Sequence, residues 1–180
     1  MLTTIAGLVS LLIWLYLLLA RGSFWQIGRW IAPESVSNKI QGLVAVIIPA
    51  RNEAAVVGES ILSLLSQSCS ESLHIFLVDD GSTDSTAQIA HQTATLAGKA
   101  AALTVIEGHP LPPGWSGKVW AMHQGVERAR KLNPRFFLFT DADIVHQPGS
   151  ISTMVSLAEA GHYDLASYMV KLHCKTLAEK

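Results

Sequence analysis

Four short apolar runs punctuate the chain after its first forty residues: Leu43 to Ile48 (LVAVII), Ile75 to Val78 (IFLV), Leu103 to Ile106 (LTVI) and Phe136 to Thr140 (FFLFT). Their richness in Val, Ile and Phe, without polar alternation, predicts strands buried on both faces. Between them the apolar positions recur at helical spacing. Val57, Ile61, Leu64 and Leu65 share one face after Asn52, and Ala87, Ala90, Ala94 and Ala97 share another after Ser82, with Gly98 as the stop signal. A third helix is predicted from Lys118 to about Leu132, with Ala121, Met122, Gly125, Val126 and Ala129 inward and Pro134 just past its end. A fourth covers roughly Ser150 to Ala160 and is followed by the apolar run Leu165 to Leu172. Strands alternating with helices at this pitch imply βαβ units. The fold class is therefore α/β, a mostly parallel sheet flanked by helices.

The pattern at the start is different. Leu2 to Ala20 carries no charged residue, and an apolar run of about this length spans a bilayer as a helix. A signal peptide would have a basic n-region, a shorter apolar core and a small-x-small cleavage site; here no basic residue precedes the core and LLLARG does not supply the site. A buried soluble helix is the other alternative. The expected organisation is a transmembrane anchor over residues 1–21, a juxtamembrane linker over 22–42 and one α/β domain over 43–180. Arg21, Arg29 and Lys39 all follow the span, so the positive-inside rule places the domain on the cytoplasmic side of the plasma membrane. Trp14, Tyr16, Phe24, Trp25 and Trp30 supply interfacial anchors, with FWQIGRWI lying along the surface.

Composition agrees with a membrane segment: 49% of the 180 residues are hydrophobic and 15% charged, against roughly a quarter charged in an ordinary soluble domain. The net charge of −1 and the absence of a basic cluster exclude a nucleic-acid footprint. Cys69 and Cys174 lie far apart with no CxxC or His-spaced partner, so two reduced thiols are expected rather than a zinc site or a disulfide framework.

In an open parallel sheet, ligands bind beyond the carboxyl ends of the strands. The first strand ends in PARNE (Pro49 to Glu53), the second in VDDGSTD (Val78 to Asp84) and the fourth in TDAD (Thr140 to Asp143). If these strands are parallel neighbours, Glu53, Asp79, Asp80, Asp141 and Asp143 share one crevice. Carboxylates so gathered repel one another, and a divalent cation or a donor-rich ligand relieves that. Asp141 and Asp143, two residues apart, suit Mg²⁺ or Mn²⁺, which takes one or two carboxylates and completes its shell with water and phosphate; in a strand, such a pair points to one side. A D-x-D is equally compatible with solvated loop carboxylates or a helix cap. In DDGSTD, Gly81 allows the turn, Ser82 or Thr83 caps the next helix and Asp84 favours its positive end. Asp79 and Asp80 are left to accept hydrogen bonds from a nucleobase or ribose.

In PLPPGWSGKVWAMHQG (Pro110 to Gly125), two prolines and Gly114 force a turn and Gly117–Lys118 opens a helix, so Lys118 is either a phosphate contact or an ordinary surface lysine. Trp115 and Trp120 are packing residues or an apolar wall over a sugar or lipid chain. His123 and His146 lie nearest these motifs, and each reads first as a surface or satisfied core residue.

The ordered segments VIIPARNEAAVVGESILSLLSQ, LVDDGSTDST, GKVWAMHQG and FTDAD resemble those of the family 2 glycosyltransferases, over about Leu43 to Leu172. More narrowly, PLPPGWSGKVWA together with the N-terminal apolar run is similar to the bacterial hopene-associated glycosyltransferases. The resemblance implies a GT-A fold, a Rossmann-like nucleotide-diphospho-sugar transferase sheet preceded by an N-terminal transmembrane helix. It implies inverting transfer of a sugar from a nucleotide-diphosphate donor to a membrane lipid or other membrane-associated acceptor. By position, Pro49, Arg51, Glu53, Asp79 and Asp80 would frame base and ribose, Lys118 would lie near the donor, Asp143 would ligate Mg²⁺ or Mn²⁺, and Asp141 would reach the ribose or the metal. Inverting transfer needs a carboxylate base. In this family the base lies well downstream of the D-x-D, where Glu159 and Asp164 do not match, so it is expected beyond Lys180, the chain being the front part of a larger protein.

Two other readings compete. FFLFTDADIV also fits the strand–D-x-D pattern of haloacid-dehalogenase-like phosphatases, with Asp141 as nucleophile, although that motif normally opens its domain. The chain would alternatively be an inert, membrane-anchored nucleotide-sugar binder without a catalytic base. A phospho-receiver reading fails, because Asp79 and Asp80 would belong on the first strand.

Overall fold

The computed structural model describes residues 2–20 and 40–168, in two compact units, Met1–Ala32 and Pro33–Lys180. In the first, α1 (Leu2–Leu19) is an uncharged helix of 18 residues whose large side chains from Ile5 through Leu19, the half-buried Leu17 apart, are exposed. At 1.5 Å per residue it reaches about 27 Å, against about 30 Å of bilayer hydrocarbon. Among the described residues no helix is long and apolar enough to cross a membrane; the described helix covers Leu2–Leu19 of the span expected over 1–21. Arg21, Phe24, Trp25, Arg29, Trp30, Lys39 and Cys174 lie outside the described residues.

The second unit is built on four parallel strands, β1 (Val44–Ala50), β2 (Leu73–Asp79), β3 (Leu103–Glu107) and β4 (Phe136–Phe139), in the order β3-β2-β1-β4. The register runs from Val44 opposite Leu73 to Ala50 opposite Asp79 on one side of β1, and from Val44 opposite Phe136 to Ile47 opposite Phe139 on the other. Four helices connect or follow them: α2 (Val57–Leu65), α3 (Thr86–Leu96), α4 (Gly117–Ala129) and α5 (Ser150–Ala160). Among the described residues each predicted strand and helix of this unit is present, with ends displaced by a few residues; FWQIGRWI and the end of the apolar run Leu165 to Leu172 lie outside the described residues.

Alternating side chains of the central strands face two separate cores. Val44, Val46, Ile48, Ile75 and Leu77 pack with Val57, Ile61 and Leu64 of α2, Ala90 and Ala94 of α3 and Ile151 and Val155 of α5. Ala45, Ile47 and Phe76 face the other way, against Met122, Val126 and Ala129 of α4. Gly125 lets α4 lie close on that face, because a Cβ there would fall 2.6 Å from Cγ2 of Ile47 and 3.2 Å from Cγ2 of Val78. Since β1 leads to β2 and β3 on one side, and the chain then crosses to β4 on the other, the strand order reverses between β1 and β4. That reversal opens a crevice beyond their carboxyl ends.

Two strands differ from expectation. Both β3 and β4 are sheet edges among the described residues, and neither is buried on both faces. In β4 the exposure alternates, with Phe137 and Phe139 38% and 50% exposed, because α4 packs against β1 and β2 and no described element covers β4 on that face.

Candidate functional site

The cleft at the β1/β4 reversal has a volume of about 320 Å³ and is lined by Pro49, Ala50, Arg51, Glu53, Asp80, Lys118, Ala121, Asp141, Ala142 and Asp143. Residues from four separated stretches thus meet at one place: the end of β1, the loop after β2, the first turn of α4 and the turn after β4. Every residue that the sequence analysis marked for donor or metal binding lies here except Asp79.

Asp79 is spent on the loop itself. Its Oδ1 accepts a 2.8 Å hydrogen bond from the Ser82 N–H, and the backbone N–H of Gly108 bonds to its carbonyl. In this structure Asp79 holds the turn and does not line the cleft, whereas the neighbouring Asp80 does. Asp80 keeps a quarter of its side chain exposed and stands 3.8 Å from the Arg51 guanidinium. Gly117 opens α4 against it; a Cβ at that position would lie 3.3 Å from Oδ2 of Asp80.

The capping expectation changes as well. Neither Ser82 nor Thr83 caps α3; Asp84 does the local work, its Oδ1 accepting from the Thr86 N–H at 3.0 Å and from the Thr86 hydroxyl. Hydrogen bonding from Thr86 and Ala54 holds the Asp84 carboxyl below its ordinary pKa. Ser82 instead accepts from the Asn52 N–H at 3.0 Å, and Asn52 Oδ1 accepts from the Thr83 N–H at 2.8 Å. Ala54 N–H reaches Asp84 Oδ2 at 3.1 Å, and Glu53 N–H reaches the Thr86 hydroxyl at 2.9 Å. These bonds stitch the PARNE loop to the DDGSTD loop. Asn52 sits at φ 57°, a left-handed conformation that asparagine accepts more readily than most residues.

Across the cleft, β4 ends at Phe139 and Asp141 to Asp143 form a turn rather than a continuing strand. The two carboxylates emerge together for a different reason from strand periodicity: Ala142 between them is buried in the α2-side core, 3% exposed, and both aspartates are turned out. Lys118 Nζ lies 2.7 Å from Asp141 Oδ1, with both side chains more than half exposed.

Among the described residues no group of three His, Cys, Asp or Glu side chains forms a metal cage. Asp141 and Asp143 on one turn nevertheless fit a Mg²⁺ or Mn²⁺ ion, which commonly uses one or two carboxylates and fills its shell with water and substrate phosphate. Among the described residues Asp143 has no Lys partner, and it is exposed at the cleft wall.

Trp115 and Trp120 do not line this cleft. With His123 they form an aromatic cluster, ring centroids 4.9 to 5.4 Å apart, and Trp120 Nε1 donates to the His109 carbonyl at 3.0 Å. Trp120 and His123 border a separate groove of about 640 Å³ along β3 and α4. Glu159 also stands apart from the cleft, paired with Arg135 at 2.7 Å.

Residues 45–178 match the profile of glycosyl transferase family 2. The chain belongs to this family. It is 30% identical over 115 residues to the 4,4'-diaponeurosporenoate glycosyltransferase of Staphylococcus aureus, a match covering 63% of this chain and 27% of that one. The S. aureus TarS structure of residues 1–349 superposes with a TM-score of 0.54 at 25% identity, covering 67% of this chain and 33% of that one. The mannosyltransferase PcManGT of Pyrobaculum calidifontis, solved with GDP-Man and Mn²⁺, superposes with a TM-score of 0.55 at 21% identity over 72% of this chain and 36% of that one. Such likeness at this identity speaks to the fold, which is the GT-A type. The chain spans less than half the length of the curated relatives it matches. The phosphatase reading of Asp141 finds no support in these matches.

Proposed function

We propose that this chain binds a nucleoside-diphosphate sugar in the β1/β4 cleft and is the donor-binding part of a metal-dependent, inverting glycosyltransferase. The observation that carries the reading is the convergence of Arg51, Glu53, Asp80, Lys118, Asp141 and Asp143, from four separated stretches, on one cleft at the strand-order reversal. Pro49, Arg51, Glu53 and Asp80 would receive base and ribose, Asp80 as a hydrogen-bond acceptor for N–H or hydroxyl groups. Lys118, on the first turn of α4, would contact the diphosphate. Asp143, aided by Asp141, would hold Mg²⁺ or Mn²⁺. Bound there, the cation supplies Lewis-acid stabilisation of the diphosphate leaving group. The exposed Lys118–Asp141 pair would give way at small cost to a diphosphate and a cation. The base that activates the acceptor hydroxyl is assigned outside the described residues, because Glu159 is held by Arg135 away from the cleft.

The acceptor we propose is a membrane lipid of the hopanoid or related isoprenoid kind. Support comes from the likeness to a glycosyltransferase named for diaponeurosporenoate and from α1, whose large apolar side chains are exposed apart from the half-buried Leu17, a pattern that water does not favour. On this reading α1 holds the chain at the plasma membrane, with the cleft on the cytoplasmic side.

Calorimetry with UDP and Mn²⁺ tests the donor site. Saturable binding is expected in the wild type, with loss of its Mn²⁺-dependent part in Asp143→Ala; an Asp143→Ala variant that binds as the wild type does removes the metal assignment. Transfer or hydrolysis of a radiolabelled donor separates an enzyme from an inert binder. Flotation with anionic liposomes tests α1, and a chain left at the bottom of the gradient refutes membrane attachment.

A further inference from the structure

We propose that His146 and Gln67 are positioning residues that set the Asp141–Asp143 turn from beneath, by fastening the loop after β4 to α2. The inference rests on the donor-binding reading of that turn.

The turn has little backbone support of its own. Pairing of β4 with β1 stops at Phe139, followed by a 3.3 Å bond from the Thr140 N–H to the Ile47 carbonyl. The bond from Ile144 N–H to the Asp141 carbonyl is long, at 3.4 Å. Side chains supply what the backbone does not. Nε2 of His146 lies 3.0 Å from the Thr140 hydroxyl, so a side-chain bond ties the two ends of the loop that carries both aspartates. The His146 N–H donates to the Ser63 hydroxyl on α2 at 3.0 Å, and that hydroxyl donates to the Ser60 carbonyl at 2.7 Å. Gln67, just beyond α2, sends Nε2 toward the carbonyls of Gln147 at 3.0 Å and His146 at 3.4 Å, while bonding back to the Ser63 carbonyl at 3.1 Å.

Gln67 is 3% exposed, and among the described residues its Oε1 has no hydrogen-bond partner. A buried amide with one polar atom unpaired is costly, so packing alone does not account for it. What it supplies is one N–H for the Ser63 carbonyl of α2 and one for the loop, directed at the Gln147 carbonyl with the His146 carbonyl close by. Burial lowers the pKa of His146 from its ordinary value, so the ring stays neutral beside Thr140 and brings no charge beneath the carboxylates. Ala142, seated in the core between the aspartates, acts as the pivot. The turn is thus held by α2 below and reached by Lys118 from α4 above.

The experiment measures UDP binding in the presence of Mn²⁺ for the full chain carrying single substitutions, alongside thermal unfolding. In His146→Gln the amide stands where Nε2 stands and keeps the bond to Thr140, so affinity should stay within about twofold of wild type. His146→Phe keeps volume and burial without the bond, and Thr140→Val removes it from the other end; each should weaken binding about tenfold. The double variant should be no weaker than either single one, since both remove the same interaction. Gln67→Leu leaves the Ser63, His146 and Gln147 carbonyls without their donor and should lower the unfolding midpoint; measured well below that midpoint, where the chain is fully folded, it should still weaken UDP binding, which a merely structural residue would not do. Wild-type binding with no response in Thr140→Val, His146→Phe and Gln67→Leu overturns the positioning role alone. No UDP binding by the wild type overturns the donor-site reading and this inference with it. Should His146→Phe not fold, Thr140→Val and Gln67→Leu decide the matter.

Discussion

On the β1–β2 side of the cleft, the loops at Asn52 to Ala54 and Ser82 to Thr86 are joined by hydrogen bonds in which backbone N–H groups meet side-chain oxygens. On the β4–α4 side, an ion pair between two exposed side chains, Lys118 and Asp141, spans the gap, above a loop fastened to α2. Bonds of the first kind use fixed backbone donors and give up little on ligand entry. Pairs of the second kind contribute at most about 1 kcal/mol each when exposed and are screened by salt, so they rearrange at small cost. One side is built to keep its shape and the other to change partners, which suits a ligand with a neutral aromatic end and a charged diphosphate end.

The comparison breaks most severely if the support of the second side is pushed away. Gly125→Val puts atoms where Ile47 already lies 2.6 Å from a Cβ position, so we expect destabilisation of about 2–3 kcal/mol from overpacking beneath α4, read as a lower urea midpoint. Asn52→Ala removes the bonds from Thr83 and leaves a left-handed φ to a residue less suited to it; about 1–2 kcal/mol should be lost. Donor affinity should fall with it if the β1–β2 side must be rigid.

Acidification separates the two sides by pH. His146 and His74 have pKa values lowered from 6.5 by burial, so the unfolded chain takes up protons before the folded one does. Their contribution is complete above pH 6.5 and is lost as pH falls through the folded values. Asp84 is held below its ordinary value of 3.8 by Thr86, so its contribution persists until the pH drops below that value. Urea midpoints should therefore begin to decline as the pH falls below 6.5, with part of that slope missing in His146→Gln and another part in His74→Gln. The smallest effect belongs to Lys118→Met. Stability should shift by no more than about 0.5 kcal/mol, as for other exposed pairs, while UDP affinity weakens and loses part of its salt dependence. A loss of stability comparable to that of Asn52→Ala would erase the contrast between the two sides.

Much of this was legible in order and pattern. Helix and strand positions follow from side-chain periodicity, a local property, and the polar strand ends pointed to one sheet edge because parallel strands place their carboxyl ends together. Asp79 and Asp80 show where that reasoning stops. Adjacent carboxylates look alike in sequence, yet one closes the Ser82 turn and the other lines the cleft, since successive side chains at a strand end leave on opposite sides. Asp141 and Asp143 were paired for a strand-like reason, and emerge together because Ala142 is anchored in the core. His146 and Gln67 carried no distinguishing signal. Their common task needs a contact between residues 79 positions apart.

The sequence by itself determined the alternation of strand and helix, the apolar character of α1 and the chemistry available at the strand ends. All of these depend on residue type and near neighbours. Only the tertiary structure decided the strand order, the location of the cleft between β1 and β4, and which acid faces it. Each of those is a choice among packings that bury the same apolar side chains, settled by contacts between segments far apart in the chain.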